Sequence, residues 1–176
     1  MLDSLITSKT RLKLLMKFFI NSDTTAYLHN LAGEFGESTS NIRNELNRLE
    51  DANLVVSKMV QNKKLYQANV KHPYYEDIHR LLFKYVGIDQ VVDILVKRIG
   101  HLEKAYITDS FAEGTPGNII DLVLVGSNFD DIYLNKLVRR TEENLAFKIR
   151  YITVKPNELS KYIYDKAKSL LIWSVK

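Results

Sequence analysis

Polar and cationic side chains are concentrated in residues 38–54, where the apolar residues recur at helical spacing. Ile42, Leu46 and Leu49 lie on one face of such a helix, which predicts that this face packs on a core. The other faces carry hydroxyl, amide and guanidinium groups, on Ser38, Thr39, Ser40, Asn41, Arg43, Asn44, Asn47 and Arg48. These groups can bond to base edges and phosphates in a DNA major groove. The segment is interpreted as a DNA-contacting helix, although any solvated amphipathic helix could carry the same surface.

The neighbouring elements must position this helix. Helices are predicted over residues 8–20 and 25–35, and Gly36 ends the second because glycine accepts a left-handed backbone. Ser38 is the predicted N-cap of the DNA-contacting helix. Two β-prone segments follow, residues 55–60 and 64–70, and they predict a hairpin. Three cations lie on or near its tip, where a phosphate backbone would run: Lys58, Lys63 and Lys64. Arg48 could contact a phosphate or pair with a nearby acid.

Residues 31–55 resemble the winged helix-turn-helix of the arsenic-repressor-like regulators of bacteria and archaea. The shared pattern begins with Leu31-Ala32 and Gly36 and ends with Arg48-Leu-Glu-Asp-Ala-Asn-Leu-Val55. The resemblance implies transcriptional regulation, a double-stranded DNA partner and a homodimer. Two positions depart from the pattern. Glu37 stands where an apolar residue is usual, and Asn53 replaces a glycine, although asparagine tolerates the same backbone conformation.

The chain beyond residue 72 carries a different pattern. Residues 73–100 predict two helices interrupted at Gly87, and the resemblance implies that this connector contacts a dimer partner. Strands are then predicted over residues 102–108, 119–125 and 148–154. Helices are predicted over residues 128–145, 156–164 and 165–171. Strands alternating with helices indicate a small α/β domain.

Two segments of this half, residues 106–114 and 118–126, are similar to the motifs of small nucleotidyltransferase domains. That family has a glycine-serine turn, which lets backbone N–H groups approach a triphosphate, and two aspartates that hold Mg²⁺. Here Asp109 stands at the glycine position before Ser110, Gly114 is retained, Ile119 stands at the first aspartate and Asp121 at the second. Because one carboxylate does not hold two metal ions, we interpret the motif as degenerate. We therefore predict that the chain is not an enzyme and binds no cofactor or metal.

Composition limits the function classes further. The chain has 176 residues, 45% of them hydrophobic, which is enough for a core. It has no cysteine, which excludes disulfides and thiolate metal sites. No apolar run is long enough to span a membrane and no signal-peptide pattern is visible, so a cytoplasmic location without a membrane partner is predicted. The net charge is +4, and residues 1–85 hold 12 Lys and Arg against 9 Asp and Glu, which favours an anionic partner for that half.

The sequence as a whole predicts an α+β protein in three parts. Residues 1–72 form a winged helix-turn-helix DNA-binding domain, mostly helical with a β-hairpin wing. Residues 73–100 form the helical connector, and residues 101–176 form an inactive nucleotidyltransferase-like domain that could hold an unidentified effector or protein partner. The predicted function is sequence-specific transcriptional regulation. Two alternatives stay open, an active nucleotidyltransferase and an antitoxin-like interaction protein.

Overall fold

The computed structural model describes residues 2–143 and 145–175, apart from the side chain of Asp3. The chain is α+β, as predicted, and it divides into two compact units, Met1–Leu82 and Phe83–Lys176. The domain boundaries drawn from the sequence at residues 72 and 100 stay predictions. Among the described residues, no helix combines the length and the apolar character needed to cross a bilayer.

The N-terminal unit packs helices against a three-stranded antiparallel sheet of order β1-β3-β2. Its elements are α1 (Leu2–Leu5), α2 (Lys9–Phe19), β1 (Thr25–Tyr27), α3 (Leu28–Phe35), α4 (Thr39–Asp51), β2 (Val55–Val60), β3 (Lys63–Ala68) and the first part of α5 (Tyr75–Val86). The core is apolar and fully buried at Leu14, Phe18, Leu31, Ile42 and Leu46. Helices α3 and α4 and the β2-β3 hairpin follow one another as the sequence predicts, and their assignment to a winged helix-turn-helix stays a prediction.

Strand β1 corrects the prediction of one helix over residues 25–35. Thr25, Ala26 and Tyr27 pair with Gln67, Tyr66 and Leu65 of β3, and the helix begins only at Leu28. Three residues are too few to show a strand period, and the pairing that stabilises them comes from a segment about 40 residues further along the chain.

The backbone turns of this unit agree with the residue types found there. Gly36 ends α3 in the left-handed region at φ 64°, and the Ser38 side chain caps α4 by accepting a hydrogen bond from the Asn41 backbone N–H. Asn53 ends α4 at φ 57°, so it takes the conformation that a glycine would take. Gln61 and Asn62 are also left-handed, at 46° and 61°, and they form a tight two-residue hairpin turn.

The C-terminal unit is built on a four-stranded mixed sheet of order β6-β5-β4-β7. Gly87, at φ 80°, ends α5 as predicted. The elements that follow are α6 (Ile88–Gln90), a π-helical turn (Val91–Leu95), a 3₁₀ turn (Val96–Arg98), β4 (Leu102–Thr108), α7 (Asp109–Ala112), β5 (Ile119–Gly126), α8 (Asp131–Glu142) and β6 (Lys148–Val154). Strands β5 and β6 are parallel and joined by α8, whereas β4 is antiparallel to both of its neighbours.

The end of this unit corrects the prediction of two helices over residues 156–171. The structure has 3₁₀ turns at Pro156–Lys161 and Lys166–Lys168, followed by strand β7 (Ser169–Ser174). This strand pairs with β4, so that Trp173 lies opposite Ala105 and Leu171 opposite Tyr106. A short apolar run cannot be assigned to a helix or a strand by its period. Here the run forms a strand because it pairs with the edge of β4.

Candidate functional site

The predicted DNA-contacting residues lie on the exposed faces of α4 and its hairpin. The buried face of α4 holds Ile42, Leu46 and Leu49, none more than 3% exposed. The predicted contacts are exposed at Ser38, Ser40, Asn41, Arg43, Asn44, Asn47, Arg48, Lys58, Lys63 and Lys64, and Thr39 is half-buried. Arg43 of α4 and two of the hairpin lysines line one pocket, so the helix and hairpin surfaces are continuous there.

Side-chain partners divide these residues into two groups. Within the described part of the chain, no hydrogen bond or ion pair holds the side chains of Arg43, Asn44, Asn47, Lys58 and Lys63. Four others are engaged: Ser38 Oγ accepts from the Asn41 backbone N–H, Asn41 donates to Thr10 and Glu37, Arg48 donates to Glu45, and Lys64 donates to Glu50. The first group is free to bind a ligand, whereas the second would have to exchange partners.

Glu45 is a buried charged residue of α4 whose contacts sequence analysis missed. Only 5% of it is exposed, and its carboxylate accepts hydrogen bonds from Ser8 Oγ at 3.0 Å, Arg11 Nε at 2.8 Å and Arg48 at 3.2 Å. Burial acts to raise the pKa of this carboxyl, but the bonds from Arg11 and Ser8 and the charges of both arginines outweigh it, and the pKa is lowered. Its spacing was the available signal, because it stands three residues after Ile42 on the edge of the apolar face.

Glu50 connects the end of α4 to the hairpin. Its carboxylate accepts a hydrogen bond from Ser57 Oγ of β2 and another from Lys64 Nζ of β3 at 3.0 Å. The Ser57 bond, with the Lys64 bond and charge, lowers the pKa of Glu50 against the effect of burial, and Glu50 in turn raises the pKa of Lys64. These two bonds connect the end of α4 to both strands of the hairpin.

The residues of the nucleotidyltransferase-like motif lie around the junction of β4, α7 and β5. Asp109 begins α7 in the left-handed region at φ 57°, so the backbone keeps the conformation that suits a glycine at this position, and Gly114 is left-handed as well. Ser110 lies within α7, and its carbonyl accepts a hydrogen bond from the Thr115 N–H at 2.9 Å. Ile119 is 44% exposed. The turn of the motif is therefore retained, while its first acidic position is apolar.

Asp121 is paired with a cation that the motif does not contain. Arg150 stands opposite it across the parallel strands β5 and β6 and donates a hydrogen bond from Nε to its carboxylate. The bond and charge of Asp121 raise the pKa of Arg150, and the charge of Asp109 adds to this. Among the described residues, no three His, Asp or Glu side chains are grouped so that they could hold a metal ion. With one carboxylate that is paired with Arg150, these residues do not fit a two-metal site.

Comparison with known proteins gives no match to a protein-family model or to a curated protein. The solved structures similar to this chain include the following two. One is a toxin-antitoxin structure with AMP-PNP, with a TM-score of 0.41 and 16% identity over 50% of this chain and 73% of the other. The second is provisionally described as a nucleotidyltransferase from Sulfolobus solfataricus, with a TM-score of 0.36 and 18% identity over 54% of this chain and 83% of the other.

These neighbours contradict the prediction that the chain is not an enzyme. One is described as a nucleotidyltransferase and the other as a toxin-antitoxin structure with AMP-PNP. The prediction of a non-enzyme, which rested on the missing acids of one motif, is therefore withdrawn.

Proposed function

We propose that the N-terminal unit binds double-stranded DNA and that the protein is a sequence-specific transcriptional regulator. The observation that carries the proposal is the row of free, exposed side chains Arg43, Asn44 and Asn47 on α4, beside the free lysines of the hairpin. Guanidinium and amide groups are the ones that bind base edges bidentately. Free side chains of these types, on a helix whose opposite face is fully buried, form a surface suited to a DNA groove.

In this proposal the N-terminal half of α4 enters the major groove and the hairpin follows the phosphate backbone. The bonds of Glu45 and Glu50 would hold α4 on α2 and the hairpin on α4, so that helix and hairpin dock as one rigid body. A homodimer is part of the proposal, and two-fold symmetry then requires a near-palindromic operator.

Selection of bound sequences from random DNA tests the proposal directly. The expected result is an enriched, near-palindromic sequence whose binding weakens steeply with salt, because phosphate contacts release counterions. Lys58→Ala with Lys63→Ala should reduce the slope of log affinity against log salt by about 2, since each lost phosphate contact removes about 1. Absence of any salt-sensitive affinity for DNA would refute the proposal.

A matched control separates contact from net charge. Lys104→Ala with Lys155→Ala also removes two exposed lysines, but from the C-terminal unit. This control should leave the salt slope unchanged. An equal reduction in both double variants would mean that the hairpin makes no specific phosphate contact.

A second candidate function is nucleotide binding and transfer by the C-terminal unit. Two observations favour it: the left-handed turn at Asp109, which starts α7, and a pocket of about 410 Å³ lined in part by Phe111, Gly117 and Phe147. Calorimetry with ATP, with and without Mg²⁺, tests it. Binding that is lost in Asp121→Ala and kept in Glu103→Ala, an exposed acid on β4, would support this function. Absence of heat with ATP under both conditions would refute it.

A further inference from the structure

A pocket of about 300 Å³ lies in the N-terminal unit between the start of α3, the helix α4 and the β2-β3 hairpin. We call it the α3–hairpin pocket. Its lining includes Tyr27, His29, Arg43, Asn62, Lys63 and Tyr66. The volume is at the low end of the range of about 300–1,000 Å³ that is usual for small-molecule sites. The size of the pocket therefore suits a small ligand.

The charge of the α3–hairpin pocket selects an anion. Three cations line it, Arg43, Lys63 and Lys64, and no carboxylate is among the lining residues. Lys64 is engaged by Glu50, but Arg43 and Lys63 carry no hydrogen bond or ion pair to any described residue. Two uncompensated cations that line one pocket attract a group that carries about two negative charges, such as a terminal phosphate.

The other residues that line the α3–hairpin pocket favour a planar group. Tyr27 and His29 supply rings, and Asn30 and Asn62 supply amides that can both donate and accept hydrogen bonds. Burial raises the pKa of Tyr66, which is only 4% exposed, so its hydroxyl stays neutral and able to donate. Rings stack on nucleobases, and amides bond to the edges of nucleobases.

We infer that the α3–hairpin pocket binds a free nucleotide, with the phosphate at Arg43 and Lys63 and the base against Tyr27 and His29. A backbone phosphate of duplex DNA would meet the same cations but would leave the rings and amides without a partner. The inference rests on the proposed function in one respect: Arg43 and Lys63 are also the side chains that we assign to DNA. A nucleotide in the pocket therefore competes with DNA, and the pocket makes DNA binding sensitive to nucleotide concentration.

Calorimetry of the full chain tests the pocket with three probes: AMP, inorganic phosphate and adenosine. AMP is expected to bind at least tenfold more tightly than either of the others. Only AMP has both a phosphate for Arg43 and Lys63 and a base for Tyr27 and His29. Equal affinity for AMP and inorganic phosphate would overturn the inference, since the rings would then contribute nothing.

Variants assign the binding to this pocket rather than to the C-terminal unit. His29→Ala and Lys63→Ala change exposed side chains and should each weaken AMP binding at least fivefold. The Lys104→Ala, Lys155→Ala control should bind AMP as the native chain does. AMP affinity that is unchanged in both pocket variants would place the nucleotide elsewhere and would overturn the inference.

Competition with a selected DNA separates this inference from the proposed function. AMP at ten times its own dissociation constant should weaken DNA binding about tenfold, because both ligands need Arg43. If AMP does not weaken DNA binding, the inferred competition between AMP and DNA is refuted and the proposed function stands. AMP binding with the expected variant pattern, in a chain that binds no DNA, supports the pocket and refutes the proposed function.

Discussion

Asn41 donates a hydrogen bond from its side-chain Nδ2 to Glu37 Oε2 at 2.9 Å, one helical turn earlier in the chain. The same amide donates to Thr10 Oγ1 at 2.9 Å, and Glu37 Oε1 lies 3.6 Å from Lys13 Nζ. The Asn41 bond is the largest influence on the pKa of Glu37, which is lowered. The start of α4 is thereby fastened to α2 by polar contacts. This explains a carboxylate at the position where the resembled regulators have an apolar residue.

This relationship predicts different roles for two neighbouring asparagines. Asn41→Ala should lower the free energy of unfolding by about 1 kcal/mol, the usual cost of a lost internal hydrogen bond, and should change DNA affinity by less than about 0.5 kcal/mol. Asn44→Ala should leave stability unchanged and weaken specific DNA binding by about 1–3 kcal/mol, because its amide is free to bind a base. Urea unfolding and fluorescence anisotropy with a selected DNA measure the two quantities. Loss of affinity in Asn41→Ala at native stability would contradict the assignment.

Two arginines of α4 should differ in the same way. Arg43 has no hydrogen bond or ion pair to any described residue, so Arg43→Ala should weaken specific binding by about 1–3 kcal/mol and relax selectivity at one base pair. Arg48 donates to Glu45 at 3.2 Å, so Arg48→Ala should weaken binding less and equally for all sequences. Affinities for the selected DNA and for single-base variants of it give both results. A uniform loss across sequences in Arg43→Ala would mark it as a phosphate contact.

Sequence patterns predicted the local backbone where a residue type strongly favours one conformation or one capping role. Gly36 was predicted to end α3 and Ser38 to cap α4, and the structure has both; Asn53 takes the left-handed conformation that the sequence said asparagine tolerates. The apolar spacing in residues 38–54 likewise predicted which face of α4 is buried. These features depend on contacts within a few residues, and the local sequence therefore determines them.

Long-range pairing was not predictable from the same patterns. Strand β1 and the first half of β7 were assigned to helices, and each strand is held by a strand distant in the sequence. The role of Glu45 was missed because its partner Arg11 is 34 residues away. The pairing of Arg150 with Asp121 was not predicted, since it follows from the register of two parallel strands. Partners fixed by tertiary structure leave little trace in a single sequence.

The buried carboxylate of Glu45 predicts a pH dependence of stability. Glu45→Ala should lower the free energy of unfolding by roughly 1–3 kcal/mol at pH 7, because Arg11 and Ser8 lose their partner. The pKa of Glu45 is lower in the folded chain than its ordinary value of 4.5, so the folded state favours the ionised form. Its contribution is therefore fully present above about pH 4.5 and is lost as the pH falls through the lowered pKa.

The difference in stability between the native chain and Glu45→Gln measures this contribution. Urea unfolding followed by circular dichroism from pH 7 to pH 3 should show a constant difference at the higher pH values and a shrinking one below about pH 4.5. Taking the difference removes the titration of Glu37 and Glu50, whose pKa values are also lowered. A difference that stays constant to pH 3 would show that the ionised form of Glu45 gains nothing from its partners.

Gly126 is the glycine at which an added methyl group should do most damage in the C-terminal unit. A Cβ at this position would lie 2.2 Å from the His101 carbonyl oxygen and 2.8 Å from Phe129 Cζ. The first of these is a backbone atom, so no side-chain rotation relieves the clash, and Gly126→Ala should lower the free energy of unfolding by about 1–3 kcal/mol. Gly100→Ala is the matched control, because a Cβ there meets nothing within 4 Å. Trp173, the one tryptophan, lies in β7 of the same unit, and its fluorescence in urea reports the unfolding. Equal stability of the two variants would show that β5 and the His101 segment can separate without cost.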